Sequence, residues 1–65
     1  MKIFLNGEPT ETTAQTVAQL LELLRVTPTG VAVAVNQNVV RRADHPSQDL
    51  QEGDTVEIIR AVQGG

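Results

Sequence analysis

Thr16-Val17-Ala18-Gln19-Leu20-Leu21-Glu22-Leu23-Leu24-Arg25 is the clearest helical stretch in a chain whose other segments read as short strands. Val17, Leu20, Leu21 and Leu24 recur at i, i+3, i+4 and i+7, so they line one side of a helix. Thr16 as N-cap and Gln19 three residues later have the spacing of a capping box, which satisfies orphan backbone donors at a helix start. Arg25 stands at the other end, where a cation suits the helix dipole, and Pro28 and Gly30 close the segment. A helix with a single apolar face must lie across another layer. The rest of the sequence offers only a sheet for that purpose.

Upstream, Lys2-Ile3-Phe4-Leu5 reads as a strand with Ile3 and Leu5 on one face and Phe4 on the other. Asn6-Gly7 follows at once, a strong hairpin signal because both residues accept positive φ. Residues 8–12 form the return strand, and Pro9 argues for an edge position. Downstream, Val31-Ala32-Val33-Ala34-Val35 alternates large and small residues, with the valines on one face and Ala32 and Ala34 on the other. Asn36-Gln37-Asn38 is a turn and Val39-Val40-Arg41 a short strand. Residues 42–51 read as polar and irregular, with Pro46 as a breaker and Leu50 as a core plug. Glu52-Gly53-Asp54 then turns the chain into a last strand over 55–61, with Val56 and Ile58 inward and Ile59 outward.

The order strand, hairpin, strand, helix, strand, strand, strand implies an α+β chain with one helix packed diagonally on one face of a mixed sheet of four to five strands. That is the β-grasp (ubiquitin-like) arrangement, in which the first and last strands become parallel neighbours at the centre. The expected core is Ile3, Leu5, Val17, Leu20, Leu21, Leu24, Val33, Val35, Leu50, Val56 and Ile58. Residues 1–65 read as one domain, with 62–65 as a flexible C-terminal tail.

Composition excludes several function classes. A 65-residue chain buries only about 60% of the surface it exposes when unfolded, and without cysteine it has no disulfide or thiolate metal site to help. The 40% hydrophobic content, rich in Val and Leu, supplies an aliphatic core instead. Net charge is -3, there is no basic stripe, and Phe4 is the only aromatic residue. Phosphate neutralisation and base stacking both lack their usual residues, so no nucleic-acid partner is expected. No apolar run approaches the length of a signal peptide or membrane span, so the expectation is a soluble cytoplasmic protein with no membrane partner.

Side chains suited to catalysis are scarce. His45 is the lone histidine; adjacent to Asp44 and without a cysteine to activate, it reads as a solvated loop residue. One histidine and scattered carboxylates have no metal-ligand spacing, so no metal is expected. Arg41-Arg42 is either a solvated strand end or a docking contact. Phe4, Ala32, Ala34 and Ile59 point away from the helix and form a candidate partner surface, unless the 42–50 loop covers part of it. The remaining feature is the terminal Gln63-Gly64-Gly65. Glycine makes up about 7% of average sequence, so a terminal pair arises by chance in about one chain in 200. Two residues without Cβ form a thin tail that a narrow cleft can admit. Val62, Gln63, Gly64 and Gly65 follow the last strand without a linker and span about 13 Å when extended. The main-chain carboxylate of Gly65 is therefore the leading candidate for the reactive group.

Taken in order, these segments resemble the ThiS family, the sulfur carrier proteins of thiamine thiazole biosynthesis. The resemblance rests on Asn6-Gly7, Thr16-Val17-Ala18-Gln19-Leu20-Leu21, Val33-Ala34-Val35-Asn36 and Val39-Val40-Arg41-Arg42. It continues through Leu50-Gln51-Glu52-Gly53-Asp54-Thr55-Val56-Glu57-Ile58 and the terminal Ala61-Val62-Gln63-Gly64-Gly65. The family often has Pro-Arg where this chain has Arg41-Arg42, and Gly or Ala where it has Gln63. The resemblance implies a carrier rather than an enzyme, with no cofactor of its own. A ThiF-like adenylyltransferase would use ATP and Mg to convert the Gly65 carboxylate to an acyl-adenylate. Sulfur from a cysteine desulfurase or another persulfide donor would then leave a thiocarboxylate, and a ThiG-like thiazole synthase would accept that sulfur. A sulfur carrier for molybdopterin synthesis and a ubiquitin-like protein modifier share the fold and the tail, and both remain open from the residues alone.

Overall fold

A computed structural model gives the fold and describes residues 1–60. The extension of the last strand to Ala61 and the expected flexibility of 62–65 lie outside the described residues. The chain runs β1 (Lys2–Leu5), β2 (Glu8–Glu11), α1 (Val17–Leu24), β3 (Val31–Val35), β4 (Asn38–Val40), a 3₁₀ helix (Arg42–Ser47) and β5 (Thr55–Arg60). The strands form one sheet in the order β2-β1-β5-β3-β4. β1 and β5 are parallel and every other neighbouring pair is antiparallel. This is the expected β-grasp sheet, with the last strand at its centre and α1 on one face.

Both hairpins close on pairs of residues with positive φ: Asn6 (50°) with Gly7 (85°), and Asn36 (51°) with Gln37 (73°). Such mirror-image turns match the right-handed twist of the flanking strands. At the start of α1 the Thr16 hydroxyl accepts a hydrogen bond from the Gln19 N–H at 3.2 Å. The Gln19 side chain returns to the Gln15 N–H at 2.8 Å, one residue before the cap, so the capping box is displaced by one position. The backbone there is drawn toward the later loop: the Val17 N–H donates to Gln48 O at 3.0 Å and the Leu50 N–H to Gln15 O at 2.8 Å. That stitch seats Leu50 in the core.

The helix ends before Pro28 and Gly30 come into play. Arg25 adopts a left-handed conformation (φ 57°, ψ 40°), its N–H donates to Glu22 O at 3.0 Å, and the Val26 N–H donates to Leu21 O at 2.9 Å. This is a Schellman cap, which satisfies carbonyls that would otherwise be orphaned.

Ile3, Val17, Leu20, Leu21, Val33, Val35, Leu50 and Val56 are buried together as expected, and Leu5 and Ile58 pack half-buried against them. Four positions differ from the sequence reading. Leu24 is 38% exposed and lines a groove with Leu23 and residues 10–13 of the β2 edge, because the last turn of α1 has moved past the core. Ala14 and Val40 join the core, the latter because its partner across the hairpin is the inward Val33. His45 is buried, not solvated. Its segment is a 3₁₀ helix that accommodates Pro46 and packs against α1, which turns the imidazole inward. There Nε2–H donates to Val40 O at 3.3 Å, meeting the need of a buried polar group for a partner.

Candidate functional site

The sheet face away from α1 carries the residues expected to form a partner surface. Register places Phe4 beside Thr55, Ile59 beside Ala32, and Ala34 between Glu57 and Val39. Phe4 and Ala32 are exposed, Ala34 is half-buried, and Ile59 is 61% exposed. The 3₁₀ helix packs on the α1 side, leaving this face open. Val39, the most exposed large apolar side chain among the described residues at 76%, belongs to the same face. A three-residue strand shows no alternation of its own, so only its register opposite Ala34 reveals that position. Glu57 interrupts the apolar surface and sets a carboxylate between Phe4 and Val39.

The structure separates Arg41 from Arg42. Arg41 continues the alternation of β4 toward the open face. Arg42 opens the 3₁₀ helix and lines a mainly apolar hollow of about 360 Å³ beside Leu21, Glu22 and His45 on the other side. They do not act as one basic pair. Ser47 gives its hydroxyl to Asp44 O at 3.1 Å, so it makes no nucleophile–base pair with His45. Among the described residues no three His, Asp or Glu side chains gather where they could hold a metal ion.

The tail itself, Val62, Gln63, Gly64 and Gly65, lies outside the described residues, but its root is well defined. On one side β5 pairs with β3 from Val56 opposite Val35 to Arg60 opposite Val31. On the other side β1 supplies Phe4 N–H to Asp54 O and Asn6 N–H to Val56 O, both at 2.9 Å. Beyond that point β1 has turned away, and the Asn6 side chain takes over. Its Oδ1 accepts from the Ile58 N–H at 2.9 Å and its Nδ2 donates to Ile58 O at 3.3 Å. Asn36 acts at the start of β5, where its Oδ1 accepts from the Thr55 N–H at 3.0 Å and its Nδ2 donates to Asp54 Oδ1 at 3.0 Å. The two hairpin asparagines therefore hold the central strand at its start and again at Ile58. Replacing Asn6 by Ala removes both bonds to Ile58 and is expected to cost about 1–2 kcal/mol, read as a lower urea midpoint with an unchanged slope.

Beside this root lies a groove of about 330 Å³ lined by Arg25, Thr27, Thr29, Gly30, Val31 and Arg60. Both arginines are exposed. Sequence reasoning used Arg25 only as a helix-end cation. The Schellman reversal that aims it toward the β5 end has no sequence signal, since glycine is the usual residue at that position.

The sequence model of the ThiS family matches residues 3–65. The chain belongs to the ThiS family. It is 36% identical over 63 residues to the sulfur carrier protein ThiS of Thermus thermophilus, covering 97% of this chain and 98% of that one. It is 35% identical over 66 residues to the sulfur carrier protein ThiS of Escherichia coli, each covered in full. A thiazole synthase of Magnetococcus marinus is 42% identical over 66 residues, a match that takes in the whole of this chain but 20% of that protein. The crystal structure of a ThiS thiamine biosynthesis protein from Geobacter metallireducens superposes with a TM-score of 0.85 at 29% identity, covering all of both chains. The fold described above is thus that of a ThiS protein. No described helix is long and apolar enough to cross a membrane.

Proposed function

We propose that this chain is a sulfur carrier of thiamine biosynthesis that works through its terminal Gly65. The family match that continues through the Gly64-Gly65 pair supports this reading most strongly, because it joins the fold to the tail in one relationship. The match to a thiazole synthase of Magnetococcus marinus supports thiazole formation, rather than molybdopterin synthesis or protein modification, as the destination of the sulfur.

A carboxylate is a poor electrophile because its oxygen is a poor leaving group. A partner adenylyltransferase using MgATP joins AMP to the Gly65 carboxylate and releases pyrophosphate. The terminal sulfur of a persulfide, made by a cysteine desulfurase or another donor, then attacks the acyl carbon and expels AMP. A thiol cleaves the resulting acyl disulfide, becoming part of a new disulfide, and the carrier is left with a thiocarboxylate. A thiazole synthase takes that sulfur into the forming ring. The chain's own residues recognise and deliver. Val62, Gln63 and Gly64 pass through the enzyme's channel, while Phe4, Ala32, Ala34, Val39, Ile59 and Arg41 offer the broad contact surface. ATP and magnesium belong to the adenylyltransferase.

The test is intact mass after incubation with the adenylyltransferase of the same organism, MgATP and a persulfide source. One oxygen exchanged for one sulfur at the terminal residue is the expected product. A ladder of larger protein adducts would instead identify a modifier, and an unchanged mass would remove the carrier reading.

A further inference from the structure

We propose that the groove between Arg25 and Arg60 is a docking site for carboxylate side chains on the adenylyltransferase that takes up the tail; this rests on the carrier reading above. The first support is charge. The chain carries 8 acidic and 5 basic Lys and Arg side chains, yet two of those cations line this one groove and no acidic residue does. Thr27 and Thr29 add hydroxyl donors beside them. Guanidinium forks take carboxylates in paired, planar hydrogen bonds, so two of them with flanking hydroxyls suit an acidic protein surface. On a net acidic carrier such a spot also orients the encounter, because it sets two cations side by side for acidic partner residues.

The second support is backbone conformation. Arg25 sits at φ 57°, the residue after a helix where glycine carries no Cβ penalty. The other three described residues with positive φ that are not glycine are Asn6, Asn36 and Gln37, all in two-residue hairpin turns. The cap's two hydrogen bonds come from backbone N–H groups of Arg25 and Val26, which glycine at position 25 would form equally well. The backbone bonds of the cap therefore do not require an arginine side chain at this position. The third support is position. Arg60, opposite Val31, which also lines the groove, is the last described residue before the tail that the enzyme takes up.

The experiment measures the rate of sulfur loading against carrier concentration for the whole chain, its Arg25→Gly variant and its Arg25→Glu variant, at low and high salt. Thermal melts are recorded alongside. Arg25→Gly is expected to melt at or above the wild-type temperature while its KM as a substrate rises about tenfold with kcat unchanged, the signature of lost docking. Arg25→Glu should raise KM further, and salt should weaken the wild type more than Arg25→Gly. Equal KM values for wild type and both variants across salt would overturn the docking site while leaving the carrier reading intact. Absence of sulfur loading on the wild type would overturn the carrier reading, and the docking site with it.

Discussion

Deleting Gly65 is expected to abolish sulfur loading while leaving the thermal transition of the domain unchanged. The shortened chain still ends in a glycine carboxylate, that of Gly64, so the chemical group survives and only its position changes. One extended residue is worth about 3.3–3.6 Å of reach. Displacing a reacting atom by as little as ~1 Å can cost on the order of 100-fold in rate, so a displacement several times larger removes useful turnover. The fold is insulated from the change because the buried cluster runs from Ile3 to Val56, and the last clamp on β5 is the Asn6 contact with Ile58. Intact mass after loading and a circular-dichroism melt read the two halves separately. A truncated chain that still acquired sulfur at the wild-type rate would show that the reactive group lies elsewhere.

Leu20→Ala carries the largest expected effect on stability. Leu20 is 1% exposed on the face of α1 that meets the sheet. Truncating a buried leucine costs about 2–5 kcal/mol, the sum of lost transfer energy and the cavity left behind. Domains are stable by about 0.05–0.15 kcal/mol per residue, which for a chain of 65 residues means about 3–10 kcal/mol in total. The substitution therefore removes much of the stability, and a fall in melting temperature of roughly 10–30 °C follows at this size. Leu24→Ala makes the informative contrast. It lies on the same sequence stripe one turn later but is 38% exposed, so about 1 kcal/mol or less is expected. If the two variants melted alike, the packing of α1 on the sheet would differ from that described.

Which elements were legible in the sequence follows from which signals are local. The two hairpin turns, the N-cap at Thr16 and the valine alternation of β3 are decided by residues within a few positions of one another, and all are present. The parallel pairing of β1 with β5 followed from the order of elements, since a single-faced helix after a hairpin leaves few ways to cover a small sheet. His45 was misplaced because a short 3₁₀ helix has no periodicity strong enough to see. Its polar neighbours Asp44 and Ser47 look the same whether the ring points out or in. Arg41 and Arg42 were read as a unit because adjacency in sequence was the only relation available, and the strand-to-helix change between them sends them to opposite sides.

For the candidate site the division is similar. Phe4, Ala32, Ala34 and Ile59 could be assigned to one face from strand alternation, a period-2 property of each strand alone. Val39 and the intrusion of Glu57 required cross-strand register, which depends on how separate segments align.

By itself the amino-acid sequence determined the strands, the helix α1, their order and most of the aliphatic core, because these depend on local propensity and apolar periodicity. Tertiary structure alone decided that His45 is buried, that Asn6 and Asn36 hold the central strand from either side, and that Arg25 and Arg60 share a groove at the root of the tail. Each of those relations joins residues brought together only when the chain closes: Asn6 and Ile58 are 52 positions apart, and no local preference encodes their meeting. Cooperative packing of the sheet against α1 creates them all at once.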